Sequence, residues 1–425
     1  MGDVTAIVQA FLALGPTVIL PVFIFIIGLG FGTGAGTAFR SGLTIGVGFV
    51  GINLVVGLLV DNLGPAAQAM VSNFGIQLNV IDVGWPGSAS IAWASPIAAF
   101  VLPIGLLVNV VMLLTKTTKT MDIDIWNFWH FTFCGACVYA ISQSFIAAII
   151  AAVIFEIVVL KIADWTAPYM EKYFELEGVS VPTGSTCSYA PIGIPLIWLI
   201  QKIPVIKDLK ADPDYIQQKF GIFGEPIFMG LVLGCVLGAL AGYAPGEIAK
   251  VGMAMAGVMV LMPRMVKLLM EGLIPISEAA GEFLQKRFGE DSQNPMNVYI
   301  GLDAAVTTGH PAVIATALIL VPITLILAVI LPGNNVLPFG DLATIPFIVA
   351  MIVAAARGNI VHSVLAGTIV IGMSLYMSTA LAEAMTNMAI IGKFNMPEGA
   401  AMISSIDQGG NLINFVIYEV FKIFS

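Results

Sequence analysis

Residues 301–331, "GLDAAVTTGHPAVIATALILVPITLILAVIL", join a polar stretch bearing glycine and proline to an unbroken apolar run. About 20 apolar residues in a helix cross the hydrocarbon core of a bilayer, because a helix satisfies its own backbone hydrogen bonds where water is absent. The run from Ile314 to Leu331 is of that kind. Directly ahead of it stand Asp303, Thr307, Thr308 and His310. Ionisable side chains at membrane depth are costly and mark function unless they pair or face a cavity. The stretch therefore reads as a membrane span preceded by a polar, broken segment.

Composition extends that reading to the whole chain. Hydrophobic residues make up 58% of 425 and charged residues 10%, and mean hydropathy is +0.98; a soluble domain is roughly half apolar and about a quarter charged. The fold class expected is an all-α polytopic membrane protein with about 10–12 transmembrane helices. Candidate spans lie near 7–31, 40–60, 91–114, 131–160, 188–201, 226–243, 248–262, 311–331, 343–356 and 360–386, with a weak one near 411–424. Segments 61–90, 115–130, 161–187, 202–225, 264–310 and 387–410 are too polar for lipid. The N-terminus lacks a basic region before its apolar run, so it reads as a first span and not a cleaved signal. Lys202, Lys207, Lys210 and Lys219 place the 202–225 connector in the cytoplasm by the positive-inside rule. The net charge of −9 says little about partners, and no nucleic-acid partner is expected. Cys134, Cys137, Cys187 and Cys235 lie in or beside apolar segments and read as small buried hydrophobes.

The chain also repeats itself. "VGLLVDNLGPAAQA" from Val56 aligns with "VKLLMEGLIPISEA" from Val266, an offset of 210 (266 − 56). "VLPIGLLVNVV" from Val101 matches "LVPITLILAVI" from Leu320, "DIWNFWHF" from Asp124 matches "DLATIPFI" from Asp341, and "EGVSVPTGS" from Glu177 lies over "EGAAMISSI" from Glu398, at offsets of 219, 217 and 221. A repeat of about five spans has an odd number of crossings, so its second copy inserts upside down. Inverted repeats are the architecture of many secondary transporters, whose site lies between the halves at discontinuous helices. "VIDVGWPGSASIAWA" in the first copy corresponds to "IGLDAAVTTGHPA" in the second. Both read as re-entrant helical hairpins, whose tips expose backbone groups suited to polyol hydroxyls.

Candidate binding residues follow from these breaks: Asp82, Gly87 and Ser88 in the first hairpin, Asp303 and His310 in the second. Asn127 and His130 in "DIWNFWHFTF" offer a donor and an acceptor, with Trp126 or Trp129 as a stacking face; the blander reading is aromatic anchoring at the membrane interface. Thr183 and Ser185 in "VPTGSTCSYAPIG" and Asp407 and Gln408 in "SSIDQGGN" sit at short non-helical breaks, as ligand groups or plain turns. Glu225 reads at least as readily as a helix cap as it does a substrate ligand, His362 as a loop or helix-end residue, and Asp124 and Asp341 as caps at equivalent ends. There is no nucleotide phosphate loop and no metal-ligand spacing among the three histidines, so neither cofactor nor metal is expected. An ion-coupled symporter for a polyol or small organic anion remains an alternative on these features alone.

Taken in order, "GPTVILPVFIFIIGLGFG", "VIDVGWPGSASIAWAS", "DIWNFWHFTF", "YFELEGVSVP", "IQQKFGIFGEP", "LMPRMVK", "IGLDAAVTTGHPAV", "PGNNVLPFGDLAT" and "SIDQGGN" resemble the IIC membrane component of the bacterial galactitol phosphotransferase system, in the ascorbate–galactitol superfamily. The resemblance covers almost the whole chain. It implies an elevator-type permease of the bacterial cytoplasmic membrane, commonly a homodimer, that moves galactitol or a related polyol to a separate IIB subunit carrying phosphocysteine, itself charged through IIA. On that footing 1–80 and 226–299 would form the scaffold, 81–200 and 300–425 the moving core with one hairpin each, and 201–225 the cytoplasmic connector facing IIB. A core carboxylate or histidine would take the hydroxyl proton, with Asp303 and His310 first and Asp82 and His130 behind them.

Overall fold

A computed structural model describes residues 16–73, 80–209, 211, 226–288, 298–338, 340–392, 394 and 401–424. Most of this chain is helical. Helices α1 (Pro16–Gly30), α2 (Ala35–Asn73), α9 (Pro226–Leu240) and α10 (Pro245–Phe288) pack against one another. The remaining α-helices among the described residues are α3 (Gly84–Trp93), α4 (Ala98–Leu114), α5 (Phe128–Ser142), α6 (Phe145–Phe174), α7 (Gly184–Cys187), α8 (Ala190–Ile200), α11 (Ala305–Thr308), α12 (Pro311–Ile330), α13 (Ile345–Ala355), α14 (Ile360–Ile391) and α15 (Leu412–Ile423).

Among the described residues α6, α12 and α14 are long and apolar enough to cross a membrane. At about 1.5 Å per residue, the 30 residues of α6 reach roughly 45 Å, more than a hydrocarbon core. Large apolar side chains stand on the outside: Leu54 on α2 is 70% exposed, Leu107 on α4 62% and Ile146 on α6 72%. An outer face of this kind is suited to lipid, which leaves the polar residues for the interior.

The expectation of an all-α fold is corrected by six short strands: β1 (Val80–Asp82), β2 (Thr120–Asp122), β3 (Val179–Ser180), β4 (Tyr299–Gly301), β5 (Val336–Leu337) and β6 (Met402–Ser404). They form two parallel three-stranded sheets, ordered β5-β1-β6 and β2-β4-β3. Val80 pairs with Val336 and Met402, and Ile300 pairs with Met121 and Val179. The reason is a demand for partners. Where a helix unwinds inside the protein, its N–H and C=O groups must find acceptors and donors, and neighbouring unwound segments supply them.

Four further boundaries differ. The single span expected at 131–160 is two helices, broken where Gln143 takes a left-handed φ of 51° and Ser144 Oγ caps α6 by accepting from Ala147 N. Helix α2 runs on through Asp61 and Asn62 to Asn73, and α10 through Arg264 and Lys267 to Phe288. Charged residues do not stop a helix whose polar side chains reach the surface, as Asp61, Arg264 and Lys267 do. Helix α6 likewise continues to Phe174, into a stretch read as loop. Cys134, Cys137 and Cys187 are buried free thiols. Glu225, residues 212–225 of the connector and the start of the first span lie outside the described residues.

Candidate functional site

Parallel strands carry all their C-terminal ends on one edge, and here short helices begin at those ends. Four of these turns are built by an acidic or amide side chain folding back on its own backbone. Asp82 Oδ1 accepts from Gly84 N at 2.9 Å, Asp124 Oδ1 from Trp126 N at 3.0 Å and Asp303 Oδ1 from Ala305 N at 2.8 Å. Asn411 Oδ1 accepts from Ile413 N at 3.0 Å. Such i to i+2 bonds are why Asp and Asn occupy helix starts.

The second oxygen of each carboxylate reaches across the chain. Asp124 Oδ2 accepts from Asp303 N at 3.1 Å, and Asp82 Oδ2 from Asp341 N at 2.9 Å. Asp341 in turn accepts from Trp85 N (2.7 Å), Thr344 Oγ1 (2.9 Å), Ser405 Oγ (2.5 Å) and Asp407 N (3.1 Å). Thr183 Oγ1 donates to Asn127 Oδ1 at 2.9 Å and accepts from Ala304 N at 2.8 Å. Asn127 Nδ2 donates to Asp122 Oδ1 at 2.9 Å. All of these side chains are buried.

Beside this frame lies a second polar group. Ser185 Oγ donates to Asp407 Oδ2 at 2.8 Å and stands 2.9 Å from His130 Nε2, while Gln408 Nε2 donates weakly to Ser185 at 3.5 Å. Trp129 lies against the His130 ring with centroids 4.1 Å apart. Helix α7 comes close because residue 184 is glycine: a Cβ there would sit 2.7 Å from His130 Cδ2. Tyr189 OH anchors the facing turn through the carbonyls of Ile406 (2.9 Å) and Asp407 (2.8 Å). Asp407 Oδ1, Asp122 Oδ2, Asn414 Oδ1 and Trp129 Nε1 are buried and have no hydrogen-bond partner. Buried polar atoms are otherwise nearly always paired.

Of the residues expected from sequence, Asn127, His130, Thr183, Ser185, Asp303, Asp407 and Gln408 fall into one connected network, and Asp82 joins it through Asp341. Ser88 donates to Gly84 O within its own helix, and Gly87 faces Val83 and Phe394. His310 is placed elsewhere: its Nδ1 accepts from Ala312 N as the cap of α12, and its ring lies 4.8 Å from Tyr173 and 5.6 Å from Phe174. His362 is near the start of α14, with Nε2 2.9 Å from Ile206 O. Asp122, Tyr189, Ser405, Asn411 and Asn414 were not anticipated as site residues. Asp124 and Asp341 were anticipated only as caps, yet they also tie distant segments together. Among the described residues no group of three or more His, Cys, Asp or Glu is arranged to hold a metal.

Apolar outward faces and helices long enough to cross a bilayer define an integral membrane protein, with a buried polar network among its broken segments. Residues 10–399 match EIIC-GAT, the PTS system sugar-specific permease component family, and the chain belongs to it. It is 44% identical over 416 residues to the PTS system galactitol-specific EIIC component of Escherichia coli K12, covering 98% of this chain and 91% of that one, with the same figures for the protein of strain O157:H7. It is 40% identical over 412 residues to a putative permease IIC component of E. coli K12, covering 97% and 93%.

Proposed function

We propose that the chain is the membrane permease of a galactitol-type phosphotransferase system, binding a hexitol in the polar network around Ser185 and Asp407 and presenting it to a separate phosphocysteine IIB subunit. The observation that carries this is the 44% identity to galactitol-specific EIIC components along 98% of the chain. A network rich in hydroxyl, amide and carboxylate groups suits a ligand that is all hydroxyls. Uptake of this kind draws on phosphate transfer and not on an ion gradient.

The transport cycle is an elevator motion between two inverted repeats in the bacterial cytoplasmic membrane. Element order supports the repeat: helix, helix, strand, helix, helix, strand, 3-10 turn, helix, helix, strand occurs from α1 to β3 and again from α9 to β6. Strand pairing supports it too, since β1 lies between β5 and β6 while β4 lies between β2 and β3. Each half thus inserts its first strand between the other half's second and third. The mutual packing of α1, α2, α9 and α10 supports a scaffold distinct from the core, with the broken segments α3–α4 and α11–α12 as the two hairpins. A homodimer through the scaffold, with IIB docking at the cytoplasmic connector, completes the arrangement.

The test is phosphoenolpyruvate-dependent phosphorylation of labelled galactitol by inside-out vesicles with IIA, IIB and the general carrier proteins, beside arabitol, sorbitol and ascorbate. Galactitol phosphate formed only with this chain is the expected result. Uptake without phosphate ester, abolished when the proton or sodium gradient is collapsed, would make the chain a symporter.

A further inference from the structure

Three carboxylates of the network have both oxygens engaged: Asp82, Asp124 and Asp341 bond backbone N–H groups or hydroxyls through each oxygen. Asp303 is held by Ala305 N through Oδ1, while its Oδ2 stands 3.5 Å from the Thr183 hydroxyl, whose one hydrogen goes to Asn127. Asp407 differs: Oδ2 accepts from Ser185, while Oδ1 is fully buried and bonds nothing. Asp122 also has a bare oxygen, but only Asp407 is connected to a histidine by a single hydroxyl.

His130 Nδ1 lies 3.1 Å from the carbonyl oxygen of Asn127, which can only accept, so Nδ1 carries a hydrogen. Nε2 is 2.9 Å from Ser185 Oγ, and Oγ is 2.8 Å from Asp407 Oδ2. Two hydrogen bonds need two hydrogens, and the hydroxyl supplies one. The other stands on Nε2, giving imidazolium with aspartate, or on Oδ2, giving neutral imidazole with a carboxylic acid. The two forms interconvert by shifting both hydrogens one place along Nε2, Oγ and Oδ2, and neither leaves a net charge buried in the pair.

Resting on the permease reading above, we propose that Asp407 is the base that takes the proton of the substrate hydroxyl, and that Ser185 and His130 are positioning residues holding the compensating proton. In the imidazolium form Asp407 is ionised without being an unpaired charge in the interior, a state that would be costly alone. Its bare Oδ1 then accepts a hydrogen bond from the polyol. As the substrate oxygen bonds to phosphorus, its proton passes to Asp407 Oδ1; the S–P bond of the IIB phosphocysteine breaks, and its electron pair leaves on sulfur as thiolate. A second bare acceptor, Asn414 Oδ1, belongs to the same cluster, because Asn414 Nδ2 donates to Gln408 Oε1 at 3.0 Å. Two bare acceptors call for a ligand that donates hydrogen bonds, as a polyol does. The arrangement moves the base from the expected pair, Asp303 and His310, to Asp407.

The experiment measures galactitol affinity by calorimetry on purified protein and phosphorylation rate at saturating galactitol and phospho-IIB in liposomes. Asp407→Asn keeps an oxygen toward Ser185 and the shape of the site but removes the base. It is expected to bind galactitol within a few-fold of the unsubstituted protein while the rate falls at least ~100-fold, the lower end of general-base contributions. Ser185→Ala is expected to slow the rate with affinity nearly kept, and Ser185→Thr, which restores the hydroxyl, to recover it. An undiminished rate for Asp407→Asn, or loss of binding with the rate at saturation intact, overturns the proposal. If Asp407→Asn does not fold, Ser185→Ala decides: an unchanged rate overturns the relay and the base together. No phosphate ester from the unsubstituted protein would instead overturn the permease reading itself.

Discussion

At the scale of single residues, position 184 shows how packing and chemistry meet. His130 can reach Ser185 only because the neighbouring residue has no side chain, a Cβ on Gly184 falling 2.7 Å from the ring. Gly184→Ala is expected to cost about 1–3 kcal/mol through overpacking and to slow sugar phosphorylation by displacing His130; thermal unfolding in detergent and the vesicle assay check the two parts. Thr183 is a second such point, one hydroxyl bonding both Asn127 Oδ1 and Ala304 N. Thr183→Val, which preserves shape and removes the hydroxyl, should lose about 1–3 kcal/mol by stranding a buried N–H, whereas Thr183→Ser should stay near the unsubstituted melting temperature. These polar positions were legible in the sequence, because a hydroxyl, amide or carboxylate inside an apolar chain is conspicuous. Their partners were not. Ser185 and Asp407 stand 222 positions apart, and nothing local to either says which residue it meets.

At the scale of elements, the two small sheets are what the sequence concealed. Strands of two or three residues are too short for the alternating pattern by which strands are recognised. They exist because unwound segments inside the protein pair with one another. The breaks themselves were readable from glycine, proline and aspartate. The tie that holds the β5-β1-β6 edge is Asp341, whose two oxygens accept from Trp85 N, Asp407 N and the hydroxyls of Thr344 and Ser405. Asp341→Ala strands two backbone N–H groups at once, and a loss of at least about 3 kcal/mol is expected. Size-exclusion profiles and melting curves beside Asp341→Asn, which keeps an acceptor oxygen, measure it. Gly84 belongs to the same junction: its φ is +69° and a Cβ would lie 2.6 Å from Gly340 O, so Gly84→Ala carries both strain and a clash.

At the scale of the whole molecule, the outer surface carries large apolar side chains that a soluble protein would bury, around an interior that is itself mostly apolar. Leu107, 62% exposed midway along α4, would tolerate arginine if water surrounded it. In a bilayer, Leu107→Arg is expected to cost about 2.5–3.5 kcal/mol of insertion, seen as reduced yield in the membrane fraction relative to Leu107→Phe. Composition made this apolar surface legible at once. Where spans end was less so, since α2 and α10 continue as helices beyond the apolar residues that announced them. The central claim is that this interior receives a polyol and releases it as a phosphate ester. Its most direct test is reconstitution of the purified protein in liposomes with phospho-IIB in the lumen and labelled galactitol outside, proton and sodium gradients both collapsed. The account predicts galactitol phosphate accumulating inside; free galactitol in the lumen, or no accumulation until an ion gradient is restored, would contradict it.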